Sequence, residues 1–205
     1  MRTPWRKHDE PRQGSRGSSG AGSAWKVRAF RWTMVCCVLM AAPPHAIAQG
    51  DNQGEYRVKL AFLYNFAQFV QWPADTFPDS GAPLSICVAG DNPFKGEIEQ
   101  SLSGRTIGGH PIEVRRLNPE EDPHACQMIF VRASEMKAAP RILASSKGSS
   151  TLTVGEAKGF AERGGIINLT REENKLRFEV NIDAAAQTRL KISSKLLALA
   201  KIVKE

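Results

Sequence analysis

The chain has 205 residues, of which 28 are Lys or Arg and 21 are Asp or Glu, so its formal net charge is +7. The first 48 residues hold eight of the basic and two of the acidic residues, a balance of +6, and the remaining 157 residues are close to neutral at +1. A nucleic-acid-binding protein carries its positive charge on the folded domain, so this distribution argues against a nucleic acid partner.

The N-terminal segment has the three parts of a secretory signal peptide. Arginines precede an apolar run at residues 32–42, and small residues follow at Ala46 and Ala48. A retained transmembrane helix needs roughly 20 apolar residues, about twice the length of this run. We therefore predict a signal peptide over residues 1–48 that is cleaved after Ala48, and a single exported domain over residues 49–205.

Residues 55–70 predict an amphipathic helix with an unusually wide apolar face. Because this face is so wide, we expect the helix to lie between a sheet and a second helix. Trp72-Pro73 ends the helix, since the residue before a proline avoids helical backbone angles. The only sustained polar strip of the helix consists of Arg57, Asn65, Gln68 and Gln71.

From residue 84 the pattern changes to short apolar runs separated by helical pieces and turns, which is typical of an α/β sheet. Asn92-Pro93 and Pro140 begin helices that we predict over residues 93–102 and up to Ser146. The expected fold is α/β, a single domain with a central mixed sheet of about six strands flanked by about five helices. The predicted strands are residues 84–89, 111–117, 127–131, 151–154, 165–170 and 175–180.

Cys87 and Cys126 are the two cysteines that remain after the predicted cleavage, and each borders an apolar, strand-like run. An even number of cysteines in an exported protein favours a disulfide, which is our prediction. Two alternatives stay open. A reactive thiolate would need an exposed, electropositive setting, and a zinc site with His110 and His124 would lack a compact ligand pair such as Cys-x-x-Cys.

The last two predicted strands form a hairpin whose second strand, residues 175–180, alternates apolar and charged side chains. Such alternation indicates one solvated face, and we expect this strand to lie at an edge of the sheet. Lys201 and Lys204 would favour the dipole of a final helix from its last turn. We thus predict a short helix at residues 184–189 and an extended link at residues 190–192. A final helix then begins after a cap at Ser193 or Ser194.

The carboxyl ends of the predicted parallel strands carry the most promising ligand chemistry. Ligands of open α/β sheets bind at this edge. The alternative is that the polar side chains there only cap helices, begin turns or meet solvent. The candidate ligand-binding residues are Asp91, Asn92, Ser134 and Glu156.

Nothing in the sequence points to catalysis. No phosphate-binding Gly-x-Gly-x-x-Gly or Walker-type loop follows a predicted strand, and no Gly-x-Ser-x-Gly nucleophile motif is present. His110 and His124 adjoin prolines in turn-like stretches and read as surface residues. We expect a binding or regulatory module, not an enzyme, with no cofactor and no metal.

Six short motifs, taken in their order and spacing, resemble the YfiR family of periplasmic regulators over about residues 55–203. Each motif is weak alone, and their combination is specific. The motifs are Trp72-Pro73, Gly90-Asp-Asn-Pro-Phe94, Leu152-Thr-Val-Gly155, Gly164-Gly-Ile-Ile-Asn168, Arg177-Phe-Glu-Val-Asn181 and Ile192-Ser-Ser-Lys-Leu-Leu197.

The resemblance implies a periplasmic location, an α/β fold and a tendency to form homodimers. It also implies repression of an inner-membrane diguanylate cyclase through its periplasmic sensing part, which lowers cyclic di-GMP and biofilm formation, and relief by an outer-membrane lipoprotein. Some relatives lie beside sensor kinases, so the alternative is a small-ligand sensor or accessory binding protein for another membrane receptor. Cys87 and Cys126 match the family's bridge positions, whereas the second, C-terminal bridge of some members has no cysteines here.

If the protein acts by contact with a partner, two surfaces are candidates. One is the Phe62, Phe66 and Phe69 side of the first helix, for which core packing is the alternative. The other is the hairpin edge around Arg177 and Glu179.

Overall fold

The computed structural model describes residues 50–204, with side chains for residues 53–96 and 99–204. The predicted signal peptide and its cleavage after Ala48 lie outside the described residues. Within them, no helix is long and apolar enough to cross a membrane.

The described chain alternates short helices and strands, as the periodicity predicts for an α/β fold. The helices are α1 (Gly50–Gln68), α2 (Glu97–Gln100), α3 (Ala139–Ser146), α4 (Ile182–Ala186) and α5 (Ser194–Leu197). The strands are β1 (Val70–Gln71), β2 (Leu84–Ala89), β3 (Thr106–Ile107), β4 (His110–Leu117), β5 (Met128–Val131), β6 (Leu152–Gly155), β7 (Ile167–Glu172), β8 (Lys175–Asn181), β9 (Lys191–Ile192) and β10 (Lys201–Val203).

Eight strands form one mixed sheet in the order β3-β4-β2-β5-β6-β7-β8-β10, and β1 pairs separately with β9. The five neighbouring strands β4, β2, β5, β6 and β7 are parallel. Strand β3 is antiparallel to β4, β8 is antiparallel to β7, and β10 is parallel to β8. The mixed α/β sheet is confirmed, and it contains eight strands where about six are predicted. All six predicted strands are present, and β3 and β10 are the additions.

Helix α1 covers one face of the sheet. Leu60, Leu63 and Phe66 are at most 1% exposed, and they share one core cluster with strand residues such as Ile86 and Phe130. The predicted polar strip faces solvent, because each of its members is exposed: Arg57, Asn65, Gln68 and Gln71.

The opposite face of the sheet is covered by α3 and by the segment around Phe160, which is fully buried. Cys87 of β2 and Cys126, which precedes β5, form a disulfide in this second cluster, with Cα atoms 5.9 Å apart. The predicted bridge is therefore present, and it excludes the thiolate and zinc alternatives because both sulfur atoms are used.

The predicted final helix is wrong. Helix α5 is a single turn capped by Ser193, whose Oγ accepts a hydrogen bond from the Lys195 amide at 3.3 Å. The chain then extends into β10, which pairs with β8. The predicted edge position of residues 175–180 is wrong for Glu179 and Val180, which pair with β10, whereas residues 175–178 have no strand on that side within the described chain. Hydrogen bonding to the open backbone groups of β8 outweighs the weak preference of so short a segment for a helix.

The helix predicted over residues 93–102 is also shorter in the structure. Only residues 97–100 are α-helical, and the flanking residues form turns. Asn92 does not cap that helix directly, because its Oδ1 accepts a hydrogen bond from the Phe94 amide at 2.9 Å. This contact closes a local turn before α2.

Replacing Cys87 or Cys126 with Ser tests the contribution of the bridge to stability. The two cysteines are 39 positions apart, and closing a loop of this size is worth about 4 kcal/mol in the chain-entropy model. We expect the free energy of unfolding, measured by urea denaturation, to fall by that order in either variant. The double Ser variant should lose no more than either single variant. If the double variant loses clearly more stability than either single variant, packing of the individual sulfur atoms contributes to stability and not the bridge alone.

Candidate functional site

The topology places a ligand-type crevice at the ends of β2, β5 and β6. Strands β4 and β5 flank β2 on opposite sides, so the chain changes direction there, and open α/β sheets bind ligands at such a point. Two hydrogen bonds connect the three strand ends: Arg132 Nη1 donates to the Asp91 carbonyl at 3.2 Å, and the Ala133 amide donates to Glu156 Oε1 at 3.1 Å.

The N-terminal half of α1 occupies this crevice with its own side chains. Lys59 Nζ lies 2.7 Å from Glu156 Oε2 and 2.5 Å from Glu55 Oε1. Arg132 Nη2 donates a hydrogen bond to Tyr56 Oη at 3.1 Å. The side chains of Lys59 and Glu156 are each 8% exposed, so their ion pair is buried.

Burial alone would favour the neutral amine of Lys59. Hydrogen bonds from Lys59 to Glu156 and Glu55 outweigh this desolvation and hold the pKa of Lys59 above its ordinary value. The same contact with Lys59 lowers the pKa of Glu55. Lys59 and Glu55 therefore stay charged near neutral pH, and the ion pair of Lys59 with Glu156 fixes α1 to the end of β6.

Tyr56 lies at the centre of this arrangement. The Lys59 ammonium is 4.7 Å and the Arg132 guanidinium 5.5 Å from the centroid of its ring, distances at which a cation is attracted to an aromatic face. The ring also meets Phe94 edge-on, with centroids 5.9 Å apart. Tyr56 thus joins the polar network to the apolar core.

The four predicted ligand-binding residues are not equivalent in the structure. Glu156 is buried in the ion pair. The side chain of Asp91 is 87% exposed and lies 3.7 Å from Arg116. Asn92 closes a turn, and the hydroxyl of the exposed Ser134 donates to Glu135 Oε1 at 3.4 Å. Glu156 is therefore the member of the set that belongs to a buried network.

Sequence reasoning missed Tyr56, Lys59 and Arg132, although one signal was available. Lys59 lies on the apolar side of α1, outside the polar strip, and Glu55 precedes it by four residues. A charged residue in an apolar stripe needs a buried partner. The identity of that partner is not readable from the sequence, because Glu156 is 97 residues away.

The phenylalanines proposed as a partner surface differ in their exposure. Phe66 is 1% exposed, and its ring centroid is 5.0 Å from that of Phe178. Phe62 and Phe69 are half-buried against the same core. Of the three side chains, Phe62 and Phe69 can therefore reach a partner, while Phe66 packs inside.

The two hairpin residues proposed as a second partner surface also differ in their exposure. Arg177 is exposed. Glu179 is 6% exposed, accepts a hydrogen bond from Asn168 Nδ2 at 3.3 Å, and pairs with Lys201 Nζ at 2.9 Å. Glu179 is therefore an interior carboxylate that β10 covers.

A cavity of about 600 Å³ lies beyond the C-terminal end of α1. Trp72, Phe77 and His110 line it, and the last two rings stack with centroids 3.6 Å apart. Across the described part of the chain, no group of three or more His, Cys, Asp or Glu residues could hold a metal ion.

A family model described as YfiR/HmsC-like matches residues 56–201, which is well over half of the chain. The protein belongs to that family, as the motifs of the sequence indicate. Members of this family are periplasmic regulators of cyclic di-GMP signalling. A comparison with curated proteins gave no significant match.

Removing one partner of the buried ion pair should destabilise the fold. Glu156→Gln leaves Lys59 with Glu55 alone, and breaking a buried pair from one side costs about 3 kcal/mol. We expect urea denaturation to show a loss of this order. In a double-mutant cycle, Lys59→Met combined with Glu156→Gln should lose less than the sum of the single losses. Exact additivity would contradict the pairing, and Glu162→Gln on the exposed surface is the matched control.

Glu55 adds a pH dependence to the same network. Because folding lowers its pKa, its contribution is complete above the unfolded value of about 4.3 and is lost as the pH falls through the lower folded value. Glu55→Gln should therefore be less stable than the native protein near neutral pH, and the difference should vanish in strong acid. Urea titrations over this range measure it. A difference that is independent of pH would show that the charge of Glu55 does not matter.

Proposed function

We propose that this YfiR/HmsC-like protein represses an inner-membrane diguanylate cyclase by binding its periplasmic sensing part, and thereby lowers cyclic di-GMP and biofilm formation. The observation that carries the proposal beyond the family's regulatory role is the filled crevice. Lys59 and Glu156 pair where a small ligand or substrate would bind in such a sheet. Recognition by the outer surface is therefore favoured over chemistry or ligand binding at the strand ends.

The mechanism is a shift of the cyclase between two states. A protein that binds the inactive state more tightly than the active state moves the equilibrium by its difference in affinity. To take a half-active cyclase to about 1% activity, the preference must be about 100-fold, or roughly 2.7 kcal/mol. A modest contact surface provides a difference of this size.

The outer face of α1, defined here by Val58, Phe62 and Phe69, supports contact with the cyclase. Val58 is 48% exposed, and the two phenylalanines are half-buried beside it. Partly buried aromatic side chains lose little entropy when a partner covers them, so they are favourable anchors. Arg177 of the hairpin is the polar member of the proposed partner surface.

Homodimer formation and capture by an outer-membrane lipoprotein belong to the same proposal. Leu199 is 74% and Ile202 43% exposed; Leu199 shortly precedes the edge strand β10, and Ile202 belongs to it. Exposed apolar side chains of this size, close to an unpaired strand edge, support a protein contact there. We assign the dimer to this region, and the cyclase to α1 and the hairpin.

A second candidate function is a periplasmic small-ligand sensor for another receptor, such as a sensor kinase. The cavity lined by Trp72, Phe77 and His110 favours it, because about 600 Å³ with aromatic walls suits a small apolar ligand. The strand-end residues that the sequence predicts as a ligand site, Asp91, Asn92, Ser134 and Glu156, are the other location. A ligand screen by thermal shift separates the two sites, since stabilisation by a hit should disappear in Phe77→Ala or in Asp91→Ala.

Deletion of the gene should raise cyclic di-GMP, measured by mass spectrometry of cell extracts, and should increase adhesion. The purified protein should bind the periplasmic sensing part of the cyclase in biolayer interferometry. Val58→Glu should weaken that binding by about tenfold, because it places a charge in an apolar contact. No change in cyclic di-GMP after deletion would overturn the cyclase proposal.

Leu199→Glu is the matched control for the α1 surface. Leu199 is also an exposed apolar residue, and it lies outside the outer face of α1. We expect this variant to bind the cyclase normally and to weaken dimerisation in analytical ultracentrifugation. If Leu199→Glu abolishes cyclase binding while Val58→Glu does not, the surface assignment is reversed.

A further inference from the structure

Within the described residues, one part of the sheet is not covered by an α-helix. On the face that carries α3, residues paired across four strands form a row of Gly155, Asn168, Glu179 and Lys201. Residues paired across a sheet point to the same face. The row begins under Phe160, whose ring leaves no room for a Cβ atom at Gly155, and continues outward over polar side chains alone.

A cavity of about 420 Å³ lies over this row. We call it the polar cavity. Its lining includes the acidic residues Glu156, Glu162, Glu172 and Glu179, the basic residues Lys158, Arg171 and Lys201, and the neutral polar residues Asn168 and Thr170. Polar side chains form most of this wall, in contrast to the aromatic wall near Trp72. Such a wall suits a polar or charged group and not an apolar one.

Two buried oxygen atoms in this wall have no hydrogen-bond partner among the described residues. Asn168 is 1% exposed, and its amide nitrogen donates to Glu179 while its Oδ1 accepts nothing. Thr170 Oγ1 is in the same condition. Thr170 follows Asn168 by two residues on the same strand, so both point to the same face. Unsatisfied buried oxygens are unfavourable, and a group that donates several hydrogen bonds would relieve both.

The carboxylate of Glu179, next to Asn168 in this row, is paired with an exposed cation. The side chain of Glu179 is 7% exposed, whereas that of its partner Lys201 is 66% exposed and belongs to a three-residue edge strand. The hydrogen bond to Glu179 raises the pKa of Lys201, so Lys201 is charged. Because its ammonium is close to solvent, it can leave Glu179 without being buried elsewhere.

We propose that the polar cavity binds the guanidinium group of an arginine side chain on a partner protein, which displaces Lys201 from Glu179 and donates to Asn168 Oδ1 and Thr170 Oγ1. A guanidinium is planar, permanently charged and has five N–H donors. It can therefore satisfy one carboxylate and two neutral oxygens together, which a single ammonium does less well. The inference rests on the proposed function and gives the chemistry of the contact near the hairpin.

The test uses a capped tripeptide, acetyl-Gly-Arg-Gly-amide, titrated into the purified protein at constant ionic strength and followed by NMR. The side-chain amide of Asn168 should shift as the peptide binds. The matched peptide with citrulline, which is neutral and of the same shape, should bind at least about tenfold more weakly. Equal binding of the two peptides would overturn the proposal.

Three variants should affect the affinity for the Arg peptide in different ways: one weakens it, one tightens it and one leaves it unchanged. Thr170→Val removes an oxygen that has no partner, so it should leave the melting temperature unchanged or raised while it weakens Arg peptide binding about tenfold. Lys201→Met removes the internal competitor and should tighten binding. Lys191→Met, an exposed strand lysine of the other sheet, should change nothing. Weaker binding in Lys201→Met, or unchanged binding in Thr170→Val, would contradict the assignment.

Ethylguanidine, a small molecule with the same single positive charge as the Arg side chain, distinguishes recognition of a protein side chain from binding of a free guanidinium. Binding of the Arg tripeptide at least as tight as that of ethylguanidine supports recognition of a protein side chain, whereas tighter binding of ethylguanidine overturns it. These measurements need no cyclase. A failure here therefore leaves repression by the α1 surface standing, and loss of repression leaves the cavity assignment standing.

Discussion

The buried ion pair between Lys59 and Glu156 is the contact on which the arrangement of the molecule depends. It joins the first helix to the end of β6, and its two residues are 97 positions apart. Removing two charges from water is costly, and the cost is repaid only when geometry and further hydrogen bonds are favourable. Here Glu55 takes a second bond from Lys59, and the Ala133 amide satisfies the other oxygen of Glu156. The pair therefore fixes the position of α1 along the sheet and the direction of its outer face.

This ion pair also changes what the sheet can do. Parallel strands whose order reverses usually leave a crevice for a ligand, and in this protein Tyr56, Lys59 and Arg132 fill it. The framework that other α/β proteins use for binding small molecules becomes a rigid support for outer surfaces. The apolar face of α1 and the polar cavity on the opposite side of the sheet then offer two chemically different contacts. For the proposed repressor, which binds a receptor and later releases it, these surfaces supply two separate points of contact.

The C-terminal segment shows how a strand edge decides local structure. Leu196, Leu199 and Val203 have helical spacing, yet the chain leaves the helix after Leu197 and pairs with β8. A helix of about ten residues is marginal by itself, while an uncovered β8 would expose a row of backbone donors and acceptors. The pairing also places Lys201 over Glu179, which turns a predicted surface carboxylate into an interior one. Lys201 lines the polar cavity because the C-terminal segment forms a strand beside β8 and not a helix.

Local patterns in the sequence were sufficient for the α/β class, the six principal strands, the solvent-facing strip of α1 and the pairing of Cys87 with Cys126. These features follow from the period of apolar residues and from an even cysteine count, which act over a few residues or in the whole composition. The partner of Lys59, the burial of Glu179 and the strand at Lys201–Val203 were decided by the tertiary structure alone. Each depends on a group that is distant in the sequence, and the energy of an ion pair or a strand edge exists only after the fold has brought the two sides together.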